Sequence, residues 1–265
     1  MTIKFIHLTD THLVRPGTLL YGLDPRQRLD AAVASIVGEH PDAAFVAVTG
    51  DLTHWGEPQA YEVLREALAP LPMPVRLLVG NHDDRAAFRA AFPEAPADAE
   101  GFVQFAFDAG ELRVVCLDTN EPGVAWGVLC ERRAAWLADA LADAGRAGRP
   151  VHLMLHHPPF PVGIRAMDRI SLRDPAPLRA ALEPHRATVR HLYFGHLHRP
   201  IAGSWLGVPF STVRATSHQV ALTLGDTARV PGSHEPAQYG VVLADGQGTV
   251  VHLHDFADPS ARFEL

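Results

Sequence analysis

The stretch Ile3-Lys4-Phe5-Ile6-His7-Leu8-Thr9-Asp10-Thr11-His12 is an apolar-rich run that ends on two metal-competent side chains. Its apolar part, Ile3–Leu8, rich in β-branched and aromatic residues, reads as a buried strand. The same grammar recurs downstream. Strands are expected over 43–49, 75–79, 112–117, 151–155 and 189–194, and four of them run into Gly50-Asp51, Gly80-Asn81-His82-Asp83, His156-His157 and Gly195-His196-Leu197-His198. Helices are expected over 26–39, 58–68, 85–92, 131–145 and 175–183. Pro58 and Pro175 fit first-turn positions, where a missing N–H costs nothing. Alternation of strands and helices defines an α/β protein.

After residue 200 the pattern changes to strands over 201–206, 208–213, 220–224, 239–244 and 249–255, with a hairpin signal at Asp245-Gly246-Gln247-Gly248. An α/β half feeding an antiparallel-rich part from about residue 200 suggests two sheets packed together within one domain, 1–265. Two Gly/Pro-rich loops, 158–174 and 225–238, are long enough to suggest function or plain surface variability.

The chain has 265 residues, 47% apolar and 20% charged, with a formal net charge of -7 and no basic block. That is length enough for a sizeable core. Nucleic-acid duplex binding relies on neutralising phosphates, so this charge argues against it. A small anionic substrate stays compatible if bound cations reverse the local sign. Cys116 and Cys130 form no metal spacing and read as core thiols in a reducing compartment. No run approaches the ~18 apolar residues of a membrane span, and the first strand leaves no room for a leader, so a cytoplasmic location is expected. Sixteen histidines are unusual, but placement, not number, decides their meaning.

Loops at the carboxyl ends of parallel strands converge on one edge of a sheet. Five segments delivering Asp10, His12, Asp51, Asn81, His156, His196 and His198 to such ends point to one metal site. Asp10/His12 and His196/His198 are spaced by two, which in extended backbone puts both side chains of each pair on one face. Oxygen and nitrogen donors without thiolate suit Mn, Fe, Zn or Co. Gly50, Gly80 and Gly195 precede ligands, as expected where the backbone turns tightly or approaches a bound group. Each motif alone has a plainer reading: a turn, an exposed histidine pair, or a helix cap at Asn81-His82-Asp83.

The ordered set Asp-x-His, Gly-Asp, Gly-Asn-His-Asp, His, Gly-His-x-His, spanning residues 10–198, resembles the calcineurin-like metallophosphoesterase superfamily. Leu20-Tyr21-Gly22, the run from His156 to Gly163, Met167-Asp168 and Ser217-His218-Gln219-Val220 are similar to its bacterial branch of cyclic-nucleotide phosphodiesterases and glycerophosphodiesterases. The resemblance implies a four-layer αββα sandwich: two packed mixed sheets flanked by helices. It implies one divalent or mixed-valence ion held by Asp10, His12, Asp51 and His198, and a second by Asp51, Asn81, His156 and His196, with Asp51 shared. It also implies that His82 faces the substrate phosphate, with Asp83 a candidate to orient its ring or to cap a helix. His218 and Tyr21 resemble substrate-side residues, and His157 should point away from His156. The expected reaction is hydrolysis of small phosphodiesters, 3',5'-cyclic nucleotides or glycerophosphodiesters, by in-line attack of hydroxide formed at the ion pair. A phosphomonoesterase on the same fold stays open, because Arg165, Arg169, Arg199 and Arg214 lie near the motifs. A non-catalytic interaction module is the remaining alternative. Members of the branch self-associate, so a homo-oligomer, dimer or higher, is expected, with loop 225–238 as a contact or cap.

Overall fold

A computed structural model describes residues 1–260, 263 and 264. The first half runs β1 (Ile3–Leu8), α1 (Pro25–Glu39), β2 (Val46–Thr49), α2 (Pro58–Leu68), β3 (Val75–Leu78) and α3 (Arg85–Ala91). It continues through β4 (Phe105–Ala109), β5 (Leu112–Leu117), α4 (Glu131–Arg146), β6 (Val151–Leu155), α5 (Arg165–Asp168), α6 (Ala176–Leu182) and β7 (Val189–Phe194). The last strands are β8 (Ala202–Trp205), β9 (Val208–Thr212), β10 (Gln219–Val220), β11 (Gly232–Ser233), β12 (Tyr239–Ala244) and β13 (Thr249–His254).

Two large mixed sheets result, one of order β13-β12-β1-β2-β3 and one of order β4-β5-β6-β7-β9-β8. Period-two alternation sorts each strand between two cores. Ile6 and Leu8 of β1 face outward under α1, α2 and α3, whereas Phe5 faces the other sheet. On the second sheet, Leu153 and Leu155 of β6 pack with Leu137 and Leu141 of α4, and Met154 faces inward. The expected four-layer αββα arrangement is therefore present. Strands covered on both faces read as nearly continuous apolar runs, which is why β1, β6 and β7 were legible.

Apart from the short β10–β11 pair, the strands after residue 200 join the two large sheets. β12 pairs antiparallel with β1 and β13 completes that edge, while β9 joins β7 in parallel and β8 closes the second sheet. The expected strand over 220–224 shrinks to Gln219–Val220, paired with Gly232–Ser233, and Leu222 and Leu224 are exposed. β4 was not anticipated; it is a short edge strand turned onto β5 through Gly110 in the left-handed region. Asp24 caps α1 through the Arg26 and Gln27 amides, and Pro25 occupies its first turn. No described helix is long and apolar enough to cross a membrane.

Three histidines lie between the sheets. His152 meets the Tyr193 hydroxyl at 2.9 Å and His191 meets Ser211 at 2.9 Å. His7 donates from Nε2 to Thr49 Oγ1 at 2.9 Å. Burial pushes His7 and His152 down to about 3 and His191 to about 4, so all three are neutral core polar groups. Phe5 stacks on Phe45 at 4.5 Å in the same layer and is fully buried. Phe5→Ala is expected to cost about 3–5 kcal/mol of unfolding free energy, read from urea melts. A loss below 1 kcal/mol would mean that the layer repacks freely.

Candidate metal centre and active site

Parallel strands β1, β2 and β3 on one sheet and β5, β6 and β7 on the other end at a common edge. There the two sheets present their donors to each other. Asp51 Oδ2 lies 3.6 Å from His12 Nε2 and 3.3 Å from His156 Nε2. Asp10 Oδ1 lies 3.3 Å from His198 Nε2, which is 3.0 Å from His12 Nε2. Asn81 Oδ1 lies 3.2 Å from His156 Nε2. Donor atoms of Asp10, His12, Asp51 and His198 thus surround one focus, all within 4.8 Å of one another. Asp51, Asn81 and His156 surround a second, beside His196, whose ring lies 5.1 Å from that of His156.

Asp10 and His12 meet at the first focus, but not through extended backbone, while His196 and His198 divide between the two foci. Asp10, His12, Asp51, His196 and His198 all have φ between 45° and 69°, the left-handed region that ordinary side chains avoid. Each such residue costs about 1–3 kcal/mol and persists only where its surroundings over-determine it. Here the main chain of one loop holds the next. Asp10 N–H donates to Gly50 O, His12 N–H to Asp51 O, His82 N–H to Asp51 Oδ1, and His196 N–H to the Asp10 carboxylate. The loops are so close that a Cβ on Gly80 would lie 2.2 Å from Asp51 Oδ1, and one on Gly195 would lie 2.4 Å from Thr9 Oγ1. These glycines admit neighbouring loops rather than a bound group.

Ring orientation follows from the second nitrogen of each imidazole. His156 Nδ1–H donates to Thr49 O at 2.8 Å, and His198 Nδ1–H donates to His218 O at 2.7 Å. Both rings therefore turn an Nε2 lone pair inward. His196 Nε2 is buried without any partner. Bare lone pairs facing carboxylates in a buried site call for a cation between them. Asp10 is braced separately: Thr9 Oγ1–H donates to its Oδ2 at 2.6 Å, Thr49 Oγ1–H donates to Thr9, and His7 donates to Thr49.

Burial would raise the Asp51 carboxyl, but the imidazoles of His156, His82 and His12 hold it well below the usual range. Burial likewise lowers His156, yet Asp51, Asp10 and the Thr49 carbonyl outweigh it and lift the ring to about 9. Burial and the neighbouring His156 take His196 down to about 3. A cation-free site thus keeps a proton on His156 where the donor set fits a metal ion.

Sequence-predicted residues around these foci divide clearly. His82 donates from Nδ1 to the His54 carbonyl at 2.9 Å, and its ring lines a cavity of ≈ 570 Å³ beside the foci. Tyr21 and His218 line the same cavity, their rings 4.7 Å apart; Tyr21 is 61% exposed rather than buried. Met167, Ile170, Val220 and Val230 form its apolar wall, so loops 158–174 and 225–238 both contribute. Arg169, from the first loop, bonds Asp226 and the Thr227 carbonyl of the second.

Asp83 is a correction. It neither orients His82 nor caps a helix; Asp84 caps α3 at the Ala87 amide. Its carboxylate accepts from the amides of Leu52, Thr53 and Gly80 and from the Thr53 and Tyr61 hydroxyls, tying the Asp51 loop to the Asn81 loop. His157 does not leave the site: its ring lies 4.8 Å from that of His196, with Nδ1 on Thr119 Oγ1. None of the four nearby arginines reaches the cavity. Arg199 and Arg214 pair with Glu235, Arg169 pairs with Asp226, and Arg165 is exposed. Among the described residues, no Lys or Arg lines the cavity.

Two contributors were not singled out from sequence. Asn120 donates from its amide nitrogen to the Gly80 and Asp83 carbonyls, bracing the Asn81 loop; it follows β5 with the same strand-end grammar as the ligands. His54, in the loop after Asp51, lines the cavity and touches His12.

The calcineurin-like phosphoesterase family profile matches residues 3–200, and the chain belongs to that family. A Rhodopseudomonas palustris protein bearing the name "Probable cyclic nucleotide phosphodiesterase" is 48% identical over 265 residues, covering 99% of this chain and 96% of that protein. The glycerophosphodiester phosphodiesterase GpdQ of Enterobacter lignolyticus is 34% identical over 228 residues, 83% of this chain and 80% of its own. In fold alone, a dimetal phosphatase from Danio rerio superposes with a TM-score of 0.71 at 14% identity, over 97% of each chain.

Asp51→Asn is expected to weaken ion binding at both foci, whereas His198→Ala weakens mainly one, by elemental analysis after dialysis. Two full equivalents retained in Asp51→Asn would refute sharing. Because His156 is raised to about 9, ion uptake by the cation-free protein at pH 7.5 should displace a proton, and affinity should climb until about pH 9. A weakly buffered indicator titration that detects no proton release would contradict this.

Proposed function

We propose that the chain is a dinuclear metal-dependent phosphodiesterase acting on small phosphodiesters, 3',5'-cyclic nucleotides or glycerophosphodiesters. The observation that carries this reading is the convergence of buried donor atoms, including the orphan His196 Nε2, beside a cavity that no described Lys or Arg lines. Asp10, His12, Asp51 and His198 would hold one ion, and Asp51, Asn81, His156 and His196 the other. Oxygen and imidazole donors fit Mn, Fe, Zn or Co. Two bound ions would supply Lewis-acid charge to the phosphoryl oxygens and a water of lowered pKa.

The protein's own groups do the rest. His82, with Nδ1 fixed on the His54 carbonyl, is left with Nε2 for the substrate. From there it stabilises charge on phosphorus or returns a proton to the leaving oxygen. Tyr21 and His218 close the polar side, and the apolar wall from the two loops excludes water from the organic part of the ester. The absence of a lining arginine supports diesters, since a monoester dianion carries an additional charge to neutralise. The two free thiols fit a reducing, cytoplasmic setting. Exposed Leu222 and Leu224 support self-association, which sedimentation at graded concentration tests.

On the metal-reconstituted protein, bis(p-nitrophenyl) phosphate should exceed the monoester in kcat/KM by at least about tenfold. The reverse order would replace this reading with a phosphomonoesterase. His82→Ala should retain both ions and lose about 10²–10⁴-fold in kcat, most for poor leaving groups. An equal loss for good and poor leaving groups would remove proton donation and leave charge stabilisation.

A further inference from the structure

We infer that His54 is a positioning residue that sets the tautomer of His12 and so decides whether the first focus is open to a cation. The inference rests on the two-ion reading above. The imidazoles around the two foci are not held alike. His156 and His198 direct Nδ1 to backbone carbonyls, at 2.8 Å and 2.7 Å. A carbonyl only accepts, so Nδ1 of each ring always carries a proton and Nε2 is the nitrogen left to face an ion.

His12 has no such guarantee. Its Nδ1 lies 3.0 Å from His54 Nδ1, an atom able to donate or to accept. Its Nε2 faces Asp51 Oδ2 and His198 Nε2. When His54 accepts, His12 carries its proton on Nδ1 and offers Nε2 to an ion. When His54 donates, His12 is forced to carry its proton on Nε2, directly in the ion's place. Binding at the first focus therefore selects the Nε2–H tautomer of His54, and any residue unable to accept at this point removes that selection.

The surroundings keep the His54 ring where this contact needs it. Its own amide donates to Leu13 O at 2.9 Å. Its ring stacks on His82 at 4.7 Å and 22°, and Trp55 packs edge-on at 4.7 Å. The His54 carbonyl simultaneously holds His82 Nδ1. One residue thus supports a ligand through its side chain and the phosphate-facing histidine through its main chain. Substitution separates the two roles, because the carbonyl survives any change of side chain.

The test uses the full chain, stripped with a chelator and titrated with Mn²⁺ and with Co²⁺, following stoichiometry by calorimetry and the Co²⁺ visible bands. His54→Phe keeps a stacking ring but cannot accept; His54→Asn supplies an accepting amide oxygen. The expected result is two equivalents for the unsubstituted protein. His54→Phe should bind one equivalent normally and the other about 10–100-fold more weakly, as for lost partners of ligand histidines. His54→Asn should recover to within about threefold. Nitrogen-resolved NMR of the cation-free protein should show a smaller Nδ1–H population of His12 in His54→Phe than in the unsubstituted protein or His54→Asn. Should His54→Phe not fold, His54→Leu and His54→Gln repeat the same contrast. Equal binding of both ions by accepting and non-accepting variants overturns the inference. Failure of the unsubstituted protein to bind a second equivalent overturns instead the two-ion reading on which it stands.

Discussion

The Asp51 carboxylate is the point on which the molecule turns. Its Oδ1 accepts the His82 amide, and its Oδ2 lies between His12 from the first sheet and His156 from the second. Both oxygens are buried, and the group stays ionised because imidazoles surround it. Asp10, His12, Asp51, His196 and His198 adopt left-handed backbone, a conformation that none of them would choose alone. Their strain is offset by cross-loop hydrogen bonds, with Asp83 gathering five donors and Asn120 bracing the Asn81 loop from the second sheet. The fold therefore acts as a jig: two rigid sheets fix strand ends, and buried polar staples fix the loops between them.

Division of labour around the cavity follows the same physics. The His156 and His198 rings are oriented by backbone carbonyls, which cannot change protonation state, and the neutral core histidines lie farther in. Among the described residues no Lys or Arg lines the cavity, and its far side is apolar. A negatively charged ester entering such a pocket would meet no lysine or arginine there, so bound ions would supply the charge that its phosphate needs.

Much of this was legible in the residues. Strands buried on both faces announced themselves as apolar runs, with β1, β5, β6 and β7 bounded as expected. The donors were legible because parallel strands must end at one edge. What sequence spacing misjudged was local geometry. Asp10 and His12 meet the site by a backbone twist that an every-other-residue argument does not contain. Asp83 looked like a partner for its neighbour His82, but its partners lie up to 31 positions away, which no local pattern encodes. His54 had no periodic or motif signal; only the folding of the Asp51 loop against His12 gives it a place. The strand over 220–224 failed because alternation alone does not supply a neighbour to pair with.

Because Asp10, His12, Asp51 and Asn81 arrive from one sheet and His156, His196 and His198 from the other, the centre is a clasp across the sandwich. Neither half carries all the donors, so the full set exists only once His198 has folded against Asp10 and His12. Ions that bind only the assembled clasp stabilise it by mass action, about 2.7 kcal/mol at a hundredfold excess over Kd. Bound ions would thereby hold the two sheets shut as well as supply the chemistry.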